Sequence, residues 1–184
     1  MHKAALAFVV LLIAGCQTTD SKFDAFNAHN LSAVMTSVCV PNMGNIHKME
    51  EEANHWIVGA PRTEKFMLAG RVEDYTKYDL GDDHGRYGSL SIYGGGYGCG
   101  VSFPAQEETK VLILANLGAQ MSPVHADDAV WMGIIDHREL AVVVSDEPTK
   151  DGVYSSVVLL NQDFYKKIGL LDRKSGNRRF IPRD

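Results

Sequence analysis

From Arg86 to Phe103 the chain reads RYGSLSIYGGGYGCGVSF, and this stretch constrains the fold most. Arg86 to Tyr93 alternates, with Leu90 and Ile92 on one side and Ser89, Ser91 and Tyr93 on the other. Tyr97 to Phe103 alternates again: Tyr97, Cys99, Val101 and Phe103 share a side, opposite Gly98, Gly100 and Ser102. A period of two marks a half-buried strand. Gly94 to Gly96 stand between the two runs and supply the positive φ angles that a tight hairpin requires. The reading is therefore two antiparallel strands over an apolar core. Gly98 and Gly100 bare one face, where a backbone or an aromatic ring can approach closely.

The same glycines suggest a nucleotide loop, but their spacing argues against it. A dinucleotide fingerprint starting at Gly94 meets Cys99 where its last glycine should stand. A phosphate loop of the Gly-Lys-Ser/Thr type needs a lysine, and no lysine or arginine lies between Arg86 and Lys110. The residues after Gly100 carry a strand pattern rather than a helical one.

The rest of the chain decides the class. Ser21 to Val40 lacks glycine and proline, and Phe23, Phe26, Leu31, Val34, Met35 and Val38 recur at helical spacing. Cys39 lies four residues after Met35 on that buried face, and Pro41 and Gly44 end the helix. Asn45 to Val58 reads as a second helix anchored by Ile46, Met49, Ala53, Trp56 and Ile57. Phe66, Leu68 and Val72 suggest a strand, and Asp79 to Gly85 a polar loop. Pro104 with Glu107 and Glu108 fits the start of a third helix, strongly apolar from Val111 to Leu117 and stopped by Gly118. Strands come next at Ala129–Ile135, Glu139–Ser145 and Val153–Leu160. They are joined by turns at Asp136-His137-Arg138 and Asp146–Gly152. Regular strand–helix alternation is missing. The order predicts an α+β domain: an antiparallel β-sheet with two N-terminal helices and one mid-chain helix packed on one face.

The first residues carry an address. His2 and Lys3 precede an unbroken apolar run, Ala4 to Ile13, and Ala14, Gly15 and Cys16 come directly after it. The run is shorter than the roughly 20 residues a spanning helix needs and fits the hydrophobic region of a secretory signal. Ile13-Ala14-Gly15-Cys16 resembles the lipobox of bacterial lipoproteins. The resemblance implies cleavage before Cys16 and acylation of that cysteine. Residues 1–15 are then a signal peptide, 16–21 a tether and 22–184 a single domain. The protein would face the periplasm from a membrane. Gln17, where an aspartate often marks inner-membrane retention, leans the expectation to the outer membrane. With Cys16 assigned to lipid, Cys39 and Cys99 remain in an oxidising compartment, where a helix-to-strand disulfide is the default.

Candidate chemistry is sparse. His47, Glu51 and His55 are spaced by four and could line a metal site, although the spacing is not H-E-x-x-H. Asp83 with His84, and His125 with Asp127, are candidate acid/base pairs. Asp79–Gly85 lacks the alternating ligands of a calcium loop, and there is no G-x-S-x-G elbow for a serine nucleophile. From Asp163 onward seven basic residues face three aspartates, in a chain whose formal charge is −5. That segment could meet an anionic partner, while the acidic total does not suit a general nucleic-acid surface. The expectation is a lipid-anchored envelope protein that binds an envelope protein, an enzyme it inhibits or a cell-wall component, with no cofactor. The alternatives are an envelope hydrolase using His and Asp side chains, or a metal-binding envelope protein.

Overall fold

The computed structural model describes residues 24–68, 71–83, 85–117, 120–123, 130–162 and 164. Cys16, the signal-like segment, His84, His125, Asp127 and the basic stretch beyond Phe164 lie outside the described residues. The protein is α+β, with an antiparallel sheet and a Cys39–Cys99 disulfide.

Helix α1 (Asp24–Val34) runs on through a π-helical turn (Met35–Cys39) into a last turn, α2 (Val40–Asn42). The wide turn precedes Pro41, which has no N–H to donate and crowds the carbonyl four residues back. The Asn42 side-chain amide donates instead, to the carbonyls of Val38 at 3.0 Å and Ser37 at 3.3 Å. The helix thus continues through the proline before Gly44, at φ 89°, turns the chain.

Helix α3 (Ile46–Ala53) is capped by Asn45, whose side chain accepts from the Lys48 N–H. It is shorter than the expected 45–58. Residues beyond it leave the helix to extend the sheet: Ile57 bridges Leu80, and the Val58 N–H donates to the Asp79 carbonyl at 2.9 Å.

Among the described residues eight strands form one sheet: β1 (Arg62–Leu68), β2 (Arg71–Asp82), β3 (Gly85–Tyr93), β4 (Gly98–Pro104), β5 (Gln120–Pro123), β6 (Val130–Ile135), β7 (Arg138–Thr149) and β8 (Gly152–Asn161). Their order is β1-β2-β3-β4-β8-β7-β6-β5, antiparallel throughout. Two four-stranded meanders are therefore joined through the pair β4 and β8. Helix α4 (Glu107–Asn116) lies in the connection between them.

Gly94–Gly96 form the single tight turn between β3 and β4, with Gly95 at φ 68° and Gly96 at φ 77°. The turn also meets the loop behind the first helix, since the Gly44 N–H donates to the Gly96 carbonyl at 2.7 Å. The β6–β7 hairpin turns on Asp136 and His137, both at positive φ. Two central residues of that kind give the turn whose twist suits paired strands.

Several expectations need correction. Asp79 to Asp82 belong to β2, and Asp146 to Thr149 to β7, where the sequence pattern predicts polar loops. Partners on other elements account for both: Asp79 is held by Arg62 of β1 and Arg86 of β3, and Asp146 by Ser155 of β8 and Lys110 of α4. The second turn shrinks to Lys150 and Asp151. Pro104 ends β4 rather than opening α4. That helix is less buried than its composition predicts, with Ile113 enclosed but Val111 exposed.

One core cluster joins Leu31, Val34, Met35, Val38, Met49 and Ile113 to the sheet residues Leu80, Leu90, Ile92, Val101, Phe103, Val142, Val157 and Leu159. Cys39 and Cys99 sit within it, their Cα atoms 5.4 Å apart and both fully buried. A second cluster holds Tyr75, Tyr93, Ala141, Val143, Val158 and Leu160, with Tyr97 and Phe164 packed against it. Alternation predicts Tyr97 on the Cys99 side. Instead it precedes β4, sits just past the glycine turn, and stacks on Phe164 with ring centroids 3.7 Å apart.

Candidate functional site: a groove on the Ser102 face of the sheet

The second cluster marks the opposite side of the sheet from Cys99, because alternate residues of a strand point to opposite faces. On this side the sheet carries a groove of about 1090 Å³. That is at the upper end of the size of small-molecule sites, roughly 300–1,000 Å³.

β4 contributes Ser102 and Pro104 to its lining, while its glycines are covered by their neighbours. An alanine Cβ at Gly100 would stand 2.7 Å from the Val157 carbonyl oxygen and 2.8 Å from the Val158 Cα. At Gly98 it would meet Leu160 and Tyr93 side chains at 2.9 Å. The groups that approach the bare face are therefore the neighbouring strands. With no side chain on β4 at these positions, Tyr93 of β3 and Leu160 and Val158 of β8 close over its backbone.

The floor runs in rows across the strands. One row is aromatic and apolar: Tyr75 opposite Tyr93, Tyr93 opposite Gly98, and Gly98 opposite Leu160. The rings of Tyr75 and Tyr93 stack 5.3 Å apart. The Tyr75 hydroxyl donates to Glu64. Burial, helped by Glu64 for Tyr75 and by Glu147 for Tyr93, pushes both phenols well above the ordinary tyrosine range. They remain protonated donors at neutral pH.

Another row is hydroxylic. Ser89 stands opposite Ser102, Ser102 opposite Ser156, and Ser156 opposite Ser145. Ser102 and Ser156 share a hydrogen bond of 2.8 Å.

The row ends at a charged group on β1, β2 and β3. Arg62 grips the Asp79 carboxylate with two hydrogen bonds, 2.7 and 2.8 Å long, and Arg86 adds a contact of 2.9 Å. Arg62 above all, then Arg86, holds the Asp79 carboxyl below its ordinary value despite partial burial. Lys77 lies 3.7 Å from Glu64.

The residues singled out from sequence fall elsewhere. His47, Glu51 and His55 are exposed, on α3 and the turn after it. His47 pairs loosely with Glu50 at 3.9 Å, while Glu50 also accepts from the Tyr78 hydroxyl at 2.7 Å and ties the helix to β2. Among the described residues no three His, Cys, Asp or Glu come together as a metal set. Asp83 is exposed in the turn after β2. Its expected partner His84, with His125 and Asp127, lies outside the described residues. Ser89 and Ser91 lie on the polar side of β3, as alternation predicts, but sequence reasoning misses the row with Ser102, Ser156 and Ser145. Each serine sits on the polar side of an alternating strand. They come together through the β4–β8 pairing, which local pattern does not encode. Compared with known proteins, the chain matches no family model, no curated protein and no solved structure.

Proposed function

We propose that the chain is a lipid-anchored cell-envelope protein, acylated at Cys16 and facing the periplasm, whose domain binds a partner rather than transforming one. The outer membrane is the favoured site. In this reading the helices pack on the Cys99 face and leave the Ser102 face as the working surface. A single observation supports it: the groove over β4, whose floor combines buried tyrosines, serine hydroxyls and internally paired charges. A large concavity with a few convergent polar groups is where a ligand or a partner segment gains most contact. The disulfide suits export, since such bonds persist in oxidising compartments.

Two variants of the full chain test the reading. Cys16→Ser should move the protein from the membrane to the soluble fraction. Ser145→Arg, which fills the groove from β7 without altering the anchor, should abolish a crosslinked envelope partner or cell-wall fraction retained by the native chain. Retention of every partner by Ser145→Arg, with an unchanged melting curve, would reject the groove as the binding surface.

A further inference from the structure

The serine row carries information about the ligand. Its four hydroxyls cross four adjacent strands, Ser89 on β3, Ser102 on β4, Ser156 on β8 and Ser145 on β7. Strands in a sheet lie about 4.8 Å apart, so the row is about 14 Å long. Ser89 is only 3% exposed, yet it lines the groove and has no side-chain hydrogen-bond partner among the described residues. Among the described residues the one buried side-chain polar atom without a partner is Gln162 Oε1, so the Ser89 hydroxyl opens to the groove rather than being sealed in the core. The partner that Ser89 lacks within the fold can reach it from the groove.

The surroundings narrow the chemistry. A hydroxyl both donates and accepts, so a row of them suits a ligand that does the same. The lining sets Glu64, Glu147 and Asp151 against Lys65, Lys77, Arg86 and Lys150, and Asp79 beside it is held by Arg62 and Arg86, so neither sign of charge dominates the groove. An added peptide strand would need unpaired backbone, which a sheet offers at its edges. The row instead crosses the sheet interior, where β3, β4, β8 and β7 are already paired. Beside it, Pro104 stands opposite Tyr154, and both line the groove. They supply apolar surface for the carbon faces of a sugar ring. The spacing of hydroxyls from strand to strand is comparable to the advance per ring in an extended β-linked glycan.

We propose that the serine row is the subsite for a neutral glycan chain laid across the strands, with Ser89, Ser102, Ser156 and Ser145 bonding successive rings. This rests on the reading of the groove as a binding surface.

The test is calorimetric titration of the full chain in detergent micelles with cellohexaose and chitohexaose, and with an oligogalacturonate as the charged comparator. Saturable binding of a neutral hexamer is expected, weakened about fivefold by Ser145→Ala and about fivefold by Ser156→Ala, the loss of one hydrogen bond each. Ser89→Ala should weaken binding similarly while leaving the melting temperature of the free protein unchanged, since its hydroxyl opens to the groove and is not tied into the fold. A serine that merely supported the fold would lower that temperature. No binding of either neutral hexamer, preference for the charged oligomer, or binding indifferent to all three alanines overturns the glycan assignment. If the assignment fails while Ser145→Arg still abolishes the envelope partner, the groove remains a binding surface for another chemistry. If Ser145→Arg changes neither, the broader reading falls as well.

Discussion

The two faces of β4 are held together by opposite means. On one side Cys99, Val101 and Phe103 are fully buried among large apolar side chains, and Cys99 is bonded to Cys39. On the other, Gly98 and Gly100 contribute no side chain, and the neighbouring strands converge on the bare backbone. The first face gains cohesion from volume and a covalent tie. The second gains close approach of the neighbouring strands where side chains are missing, with the groove opening beside it at Ser102 and Pro104. A strand that must close a core and floor a groove can do both because its residues alternate between the two demands.

The largest effect should come from the covalent tie. The cysteines are 60 residues apart, and the loop-entropy account assigns about 4 kcal/mol to a closure of that length. Replacing both by serine should lower the unfolding free energy by about that amount, measured by urea denaturation of the native and variant chains. A loss below about 1 kcal/mol would mean that apolar packing alone holds the Cys99 face, and the contrast between the faces would weaken.

The next effect belongs to the opposite face. Gly100→Ala places a methyl group against the backbone of β8, which cannot move aside as a side chain can. Overpacking of this kind costs about 1–3 kcal/mol, and the upper part of that range is expected. Gly95→Ala, with no close clash but a positive φ of 68°, should cost about 1 kcal/mol. Equal losses at the two glycines, read from the same denaturation curves, would show that backbone conformation rather than close approach explains Gly100.

Legibility in the sequence depends on the range of each interaction. The strands around Gly94–Gly96 are readable because alternation and turn chemistry are local. The pairing of Cys39 with Cys99 is readable by elimination, if the lipobox-like Ile13-Ala14-Gly15-Cys16 is taken to set Cys16 aside. The extensions of β2 and β7 are not. Asp79 and Asp146 look like loop residues until their partners are known, and Arg62 lies 17 residues from Asp79 while Lys110 lies 36 from Asp146. The serine row depends on still longer range, with Ser102 and Ser156 separated by 54 residues. Apolar side chains elsewhere mislead in the other direction: the apolar run of α4 predicts deep burial, but Val111 lies on the open side of that helix.

The smallest effect separates the two aspartates themselves. Asp79 lies on the groove face, depressed first by its hydrogen bonds to Arg62. Asp146 is depressed first by the Ser155 hydroxyl, which is fully buried, and then by Lys110 on α4. Both carboxyls titrate in the folded state below the ordinary aspartate value of 3.8. Their contribution is therefore complete above that value and lost as the pH falls through each depressed folded value. Above pH 5 the native protein should show a flat dependence from these two groups, and below about pH 4 a falling one. Asp79→Asn and Asp146→Asn should each flatten the acid branch. Arg62 and Arg86 are about half exposed, so screening limits the first to under about 1 kcal/mol at neutral pH. Asp146 is the more exposed carboxylate, 47% against 16% for Asp79, but its leading bond is to a neutral hydroxyl, which salt does not screen as it screens an ion pair. Added salt should therefore erase the Asp79→Asn effect before the Asp146→Asn effect. The reverse order, in denaturation curves taken with and without about 0.5 M sodium chloride, would show that burial of the carboxylate rather than the charge of its leading partner sets the salt response, and undo this part of the contrast.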